Sequence, residues 1–130
     1  MEERPRRGFA REARLLRGRD FRRVMRRGLR IDNPLYTLWA VPGPEPSAAR
    51  LGLSASRRLG GAVIRNRAKR LLRETFRRQD RPWGFDVVLV PKKALLERKL
   101  SEVDDEWRRS LKRLASLRTR ARHASPPAAG

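Results

Sequence analysis

The chain contains no cysteine, which excludes disulfides, thiolate nucleophiles and cysteine-based zinc sites. Its single histidine, His123, lies in a basic stretch near the C-terminal end, a poor place for an acid–base catalyst. Acids are scarce, with 14 Asp and Glu against 34 Lys and Arg. The one dense acidic group, Asp104, Asp105 and Glu106, falls in the first turn of an expected helix, where carboxylates suit the positive end of the dipole. No carboxylate cluster is then left for the metal-dependent chemistry that a protein nuclease needs. Gly60-Gly61 lacks the spacing and the lysine of a phosphate-cradling loop. No apolar run approaches the roughly 20 residues that span a bilayer, and the residues after Met1 have no apolar core of a secretory signal. The expectation is a cytoplasmic protein with no catalytic residue, no metal site, no membrane partner and no small-molecule substrate.

What the chain does have is positive charge. Its 130 residues carry a formal net charge of +20, a self-repulsion that a polyanion would relieve. Of the basic residues, 29 are Arg and 5 are Lys. Arginine's planar fork grips phosphate bidentately and stacks on bases, which a lysine point charge does not do. Nucleic acid is therefore the expected partner. The length suits one domain. Residues 1–13 read as a flexible basic arm, 14–116 as a single RNA-binding domain, and 117–130 as a disordered basic, Pro/Ala-rich tail.

Periodicity divides the domain into elements. Residues 17–28 form a short helix with Phe21, Val24 and Met25 on one face, and Gly28 suits its C-terminal end, where positive φ is expected. Residues 35–41 and 50–56 read as two strands joined by the PGPEPS turn, which predicts a hairpin. A long helix follows over residues 61–78, then a buried strand over 85–90. The last helix carries Val103, Trp107, Leu111 and Leu114 on one face, with Ser101 and Asp104 as a capping-box variant. The result is an α+β fold, an α/β sandwich of helices on one small sheet.

The segment LGGAVIRNRAKRLLRETFRR, positions 59–78, is the most informative. Wound as a helix, it places Ile64, Ala68, Leu71, Leu72 and Thr75 on one apolar stripe. Asn66, Arg70, Arg73 and Arg77 line the opposite face with Lys69 beside them, and Arg65 and Arg67 flank the stripe. The only acid there, Glu74, can pair with Arg70 or Arg78. Like charges at these spacings repel, so the face calls for an anionic partner.

The same stretch, with its RNR core at Arg65, Asn66 and Arg67, resembles the signature of the bacterial ribonuclease P protein family. LGLSASRRLG, DFRRVMRRG, FDVVLVPKKALL and the helix from Ser101 to Leu114 resemble the family's neighbouring segments, so the likeness covers positions 15–116. It implies an α-β-β-β-α-β-α order around a four-stranded sheet, ribosomal protein S5 domain 2-like, with a left-handed βαβ crossover that departs from the usual hand. The fourth strand, around residues 30–34, comes from the resemblance alone. The family's function implies a subunit that binds the catalytic ribonuclease P RNA and assists removal of the 5′ leader from precursor tRNA. Magnesium then serves the holoenzyme mostly through RNA. The resemblance assigns Arg65, Asn66, Arg67, Lys69, Arg70, Arg73 and Arg77 to the catalytic RNA. To a cleft for the single-stranded leader it assigns Phe21, Met25, Tyr36, Trp39, Arg57 and Arg58. Aromatic rings beside basic groups bind single strands by sequence-tolerant stacking. Met25 stands where the family often has a second aromatic. Tyr36 and Trp39 differ in parity along a strand, so both reach one cleft only if a bulge intervenes. A ribosomal or general RNA-binding protein is the alternative that composition alone leaves open.

Overall fold

A computed structural model describes residues 18–44 and 46–124, with side chains as far as 118. The elements are α1 (Gly18–Arg27), β1 (Leu29–Asp32), β2 (Tyr36–Pro42), β3 (Arg50–Leu53), α2 (Ala62–Arg78), β4 (Phe85–Pro91) and α3 (Leu100–Ala124). Short 3₁₀ turns occupy Arg57–Leu59 and Lys93–Glu97. This is the α-β-β-β-α-β-α order expected from the resemblance, and β1 supplies the fourth strand.

The strand order is β1-β2-β4-β3. β1 and β2 form the hairpin, antiparallel, through a turn in which Asn33 Oδ1 accepts from the backbone N–H of Leu35 (2.8 Å) and Tyr36 (3.0 Å). The hairpin expected between residues 35–41 and 50–56 does not form. β4 lies between those strands, antiparallel to β2 and parallel to β3. The physical reason is burial on both faces. Residues 85–89 of β4 are all buried, so this strand takes a central position. β3 can then pair with it only in parallel, through a crossover of a dozen or more residues. The 17 residues of α2 supply that length.

The sheet is covered on both faces. On one, Tyr36, Leu38, Val87 and Leu89 meet Ala68, Leu72 and Phe76 of α2 and Trp107 of α3 in the main core. Phe76 and Trp107 pack edge to face, with centroids 5.8 Å apart. On the other, Val24 of α1 closes over Val41 and Val88 in a smaller cluster. α1 thus lies across the sheet from α2 and α3.

Several local expectations are corrected. Gly28 has no positive φ; positive φ among the described glycines is found at Gly60 and Gly84. It is required for space, because a Cβ there would stand 2.5 Å from the Val24 carbonyl oxygen and 3.0 Å from the Ala40 nitrogen. Ile64 does not join the buried stripe of α2 and is 41% exposed, whereas Phe76 is fully buried. Ser101 is inside α3, and it is Glu102 Oε1 that accepts from the Lys99 N–H (2.9 Å). Asp104 is no surface dipole partner: it is buried and accepts from Arg78 Nη2 (2.8 Å) and Thr75 Oγ1 (2.9 Å), fastening α3 to α2. The boundary expected at 117 falls within α3, since Leu117 packs on the main core one turn beyond Leu114 and extends the helix's apolar face. The arm at 1–13 and residues 125–130 lie outside the described residues.

Candidate RNA interface

The face of the sheet that α1 covers is built by register. Arg30, Trp39, Val88 and Gly52 form one row across the four strands. Val41, Asp86 and Arg50 form the neighbouring row. Phe21 of α1 rests on Gly52, where a Cβ would come 2.8 Å from Phe21 Cζ, so the bare glycine admits the ring. Phe21, Trp39 and Val90 remain half-buried around Val24, and Met25 is 39% exposed. The guanidinium of Arg30 stands 5.7 Å over the Trp39 ring, a cation–π contact that leaves a basic group beside an aromatic one. Phe21 and Trp39 thus pack against the same small cluster, while Met25, one turn along α1 from Phe21, stays exposed.

Tyr36 does not join them. Three positions before Trp39 on an unbulged strand, it faces the opposite side of the sheet, in the main core at 0% exposure. Its hydroxyl is 2.7 Å from Ser110 Oγ of α3, which donates in turn to the Glu106 carbonyl (3.0 Å). Burial pushes its pKa up to about 12. A ring held this way has no face for a base. Arg57 and Arg58 are exposed in the 3₁₀ turn that leads from β3 to α2.

α1 is held to the sheet by charge as well as by apolar contact. Asp86, whose side chain is 2% exposed, accepts from Arg50 Nε (2.8 Å) and Nη2 (2.7 Å) and from Arg23 of α1. Asp20 adds a carboxylate 3.7 Å from Arg23 and 3.9 Å from Arg50. The bond to Asp86 raises the pKa of Arg50. Two guanidiniums from different elements offset the cost of burying one carboxylate. The sequence reading missed Asp86, Arg23, Arg30 and Gly52. The one signal for Asp86 is an isolated acid inside an apolar strand, FDVVLV.

α2 presents the second surface. Asn66, Arg67 and Arg70 are exposed, and Arg65, Lys69, Arg73 and Arg77 are half-buried. Arg65 Nε donates to the Gly60 carbonyl (3.3 Å), and Arg67 Nη2 reaches the Leu96 carbonyl at only 3.4 Å. Glu74 pairs with Arg77, one turn on, rather than with Arg70 or Arg78; Arg78 is taken by Asp104. The bond lowers the pKa of Glu74 and raises that of Arg77. Ion pairs along α2 among the described residues are those of Arg77 and Arg78. Arg65, Arg67, Lys69, Arg70 and Arg73 thus form a basic strip that makes no ion pair among the described residues.

Among the described residues, no three His, Cys, Asp or Glu side chains gather into a metal-binding group. No helix there is long and apolar enough to cross a membrane. Asp32 at the end of β1 accepts from Lys92 Nζ and Thr37 Oγ1 (both 2.8 Å), which lowers its pKa.

A model of the ribonuclease P family matches residues 9–115. The ribonuclease P protein component of Desulfovibrio desulfuricans is 38% identical over 116 residues, 87% of this chain and 86% of that one. That of Geobacillus thermodenitrificans is 31% identical over 111 residues, 84% and 92%. Among solved structures, the ribonuclease P protein from Thermotoga maritima superposes with a TM-score of 0.66 at 33% identity, over 73% of this chain and 91% of that one. The Staphylococcus aureus protein gives 0.65 at 26% identity, over 76% and 92%. With the element order, the basic helix and the matched length in agreement, this chain belongs to the bacterial ribonuclease P protein family.

Proposed function

We propose that this chain is the cytoplasmic protein subunit that binds ribonuclease P RNA and the 5′ leader of precursor tRNA. The observation that carries this reading is the strip of Arg65, Arg67, Lys69, Arg70 and Arg73 along α2, free of ion pairs among the described residues. Such a strip binds a phosphate backbone and releases its counterions. With Asn66 and Arg77 it is the surface for the catalytic RNA. In this reading Phe21, Met25 and Trp39 line the leader cleft on the other side of the sheet, and Arg57 and Arg58 of the 3₁₀ turn that follows β3 are its basic companions. A single strand laid there stacks its bases without sequence demand, as a subunit serving many different leaders requires.

In this reading the catalytic centre belongs to the RNA, and magnesium serves the holoenzyme mostly through RNA ligands. The chain's described acids form no donor set for it. What the protein contributes is binding: positive charge for the RNA, and rings and cations for the leader.

The test is cleavage of precursor tRNA at low magnesium by the protein alone, by a bacterial ribonuclease P RNA alone, and by the two together. Cleavage in the mixture only is the expected result. Activity from the protein alone would overturn the assignment of catalysis to RNA. No stimulation of an RNA that is active at high magnesium would favour a general RNA-binding protein instead.

A further inference from the structure

The outer face of α1 carries a charge that neither the cleft nor the α2 strip uses. Arg19, Arg22 and Arg26 lie at i, i+3 and i+7, opposite Val24, which is buried against Val41 and Val88. All three are exposed, as is Arg27 beside them. The ion pairs that α1 makes among the described residues are those of Arg23 and Asp20. Arg23 is spent on Asp86, while Arg19, Arg22 and Arg26 on the outer line meet no carboxylate among the described residues. Four positive groups within a 10-residue helix repel one another, so the face calls for an anion.

We infer that Arg19, Arg22 and Arg26 form a second phosphate rail, and that it holds the part of a precursor leader that extends beyond the cleft. The inference rests on the leader-binding reading above. Its occupant follows from position. α1 packs on the sheet face opposite to α2 and α3, so its outward side and that of α2 point apart, separated by roughly 25–30 Å of helix, sheet and helix. An RNA helix laid along α2 does not reach it. The strand in the cleft does, because the helix bearing Arg22 and Arg26 is also the cleft wall bearing Phe21 and Met25. A leader that leaves the stacking groove need only pass over α1 to bring its phosphates against the arginines. The rail from Arg19 to Arg26 is about 10 Å long at 1.5 Å per residue, enough for a short run of phosphates and no more.

The experiment measures binding of precursor tRNA by the full-length protein assembled with a bacterial ribonuclease P RNA. One substrate has a leader trimmed to the cleft, and the other a leader extended past it, both across a range of salt. The extended leader is expected to bind more tightly and with a steeper salt dependence. Arg22→Gln with Arg26→Gln should abolish that gain and lower the slope for the extended leader by about 1.4, at about 0.7 per single-strand contact. Arg22→Lys with Arg26→Lys keeps the charge and should restore most of it. Both positions are exposed and form no ion pair among the described residues, so the fold is expected to survive either change. A gain that persists in the Gln variant overturns the rail. Equal loss on both leaders also overturns it, and assigns the arginines to the tRNA body or the catalytic RNA. If the wild-type protein stimulates low-magnesium cleavage but shows no effect of leader length, only this inference fails. If it stimulates neither substrate, the function proposed above fails with it.

Discussion

Tyr36 is the only tyrosine of the chain, so its phenol can be titrated without interference. Its pKa, raised to about 12 by burial, predicts a phenolate absorbance transition near that pH in the native protein and near 10 in the unfolded chain. Because the folded value is the higher one, the stability this group contributes is fully present below pH 10. It is lost as the pH climbs from 10 to 12, about 3 kcal/mol in all. Tyr36→Phe should remove that alkaline loss in paired melts, and should leave discrimination between substrates with and without a leader intact. Trp39 predicts the reverse. Half-buried under Arg30 on the cleft side, it should cost affinity for leader-bearing substrates by about 1–3 kcal/mol when replaced by alanine, and spare leaderless ones. Equal loss for both substrates would make Trp39 a core residue only.

At the scale of elements, two buried acids decide how the helices sit. Asp86 ties α1 to the sheet through Arg23 and Arg50, and Asp104 ties α3 to α2 through Arg78 and Thr75. Asp104 and Asp105 are neighbours in sequence, yet Asp105 pairs with Arg108 on its own helix surface. Asp104→Ala should therefore destabilise the fold by about 2–4 kcal/mol, since it strands a partly buried arginine and a buried threonine. Asp105→Ala should cost less than about 1 kcal/mol. Denaturant midpoints of the two variants check the contrast, and similar values would show that the Asp104 link is as weak as an exposed pair. The run Asp104, Asp105 and Glu106 also lies a turn inside α3, which begins at Leu100 and has Glu102 as its first-turn acid, so the expected first-turn placement does not hold. A dipole argument applies to all three equally, whereas burial singles out one.

For the whole molecule, the fold concentrates its positive charge outward. The acids that are most enclosed, Asp86 and Asp104, are consumed by internal arginines, and the strip on α2 and the line on α1 keep theirs. Binding to RNA should accordingly be strongly salt-dependent. Arg67, exposed with only a long contact to a carbonyl, should give up one phosphate contact when changed to alanine. The slope of log affinity for ribonuclease P RNA against log salt should fall by about 0.7–0.9. An unchanged slope would remove Arg67 from the interface.

Much of this was legible in the sequence: the positions of the helices and of three strands, the apolar and basic sides of α2, the excess of charge, and through the RNR segment the family itself. These depend on periodicity and composition, which are local. What only the tertiary structure decided is pairing. The hairpin expected between residues 35–41 and 50–56 gave way to β4 because centrality in a sheet depends on burial from both faces, which residues far apart must supply together. Tyr36 went to the core and Trp39 to the cleft because an unbulged strand alternates, and nothing local says whether a bulge is present. Asp86 and Asp104 found partners 63 and 26 positions away. Sequence spacing carries no signal for contacts of that range, since they form only once the sheet has brought its strands together.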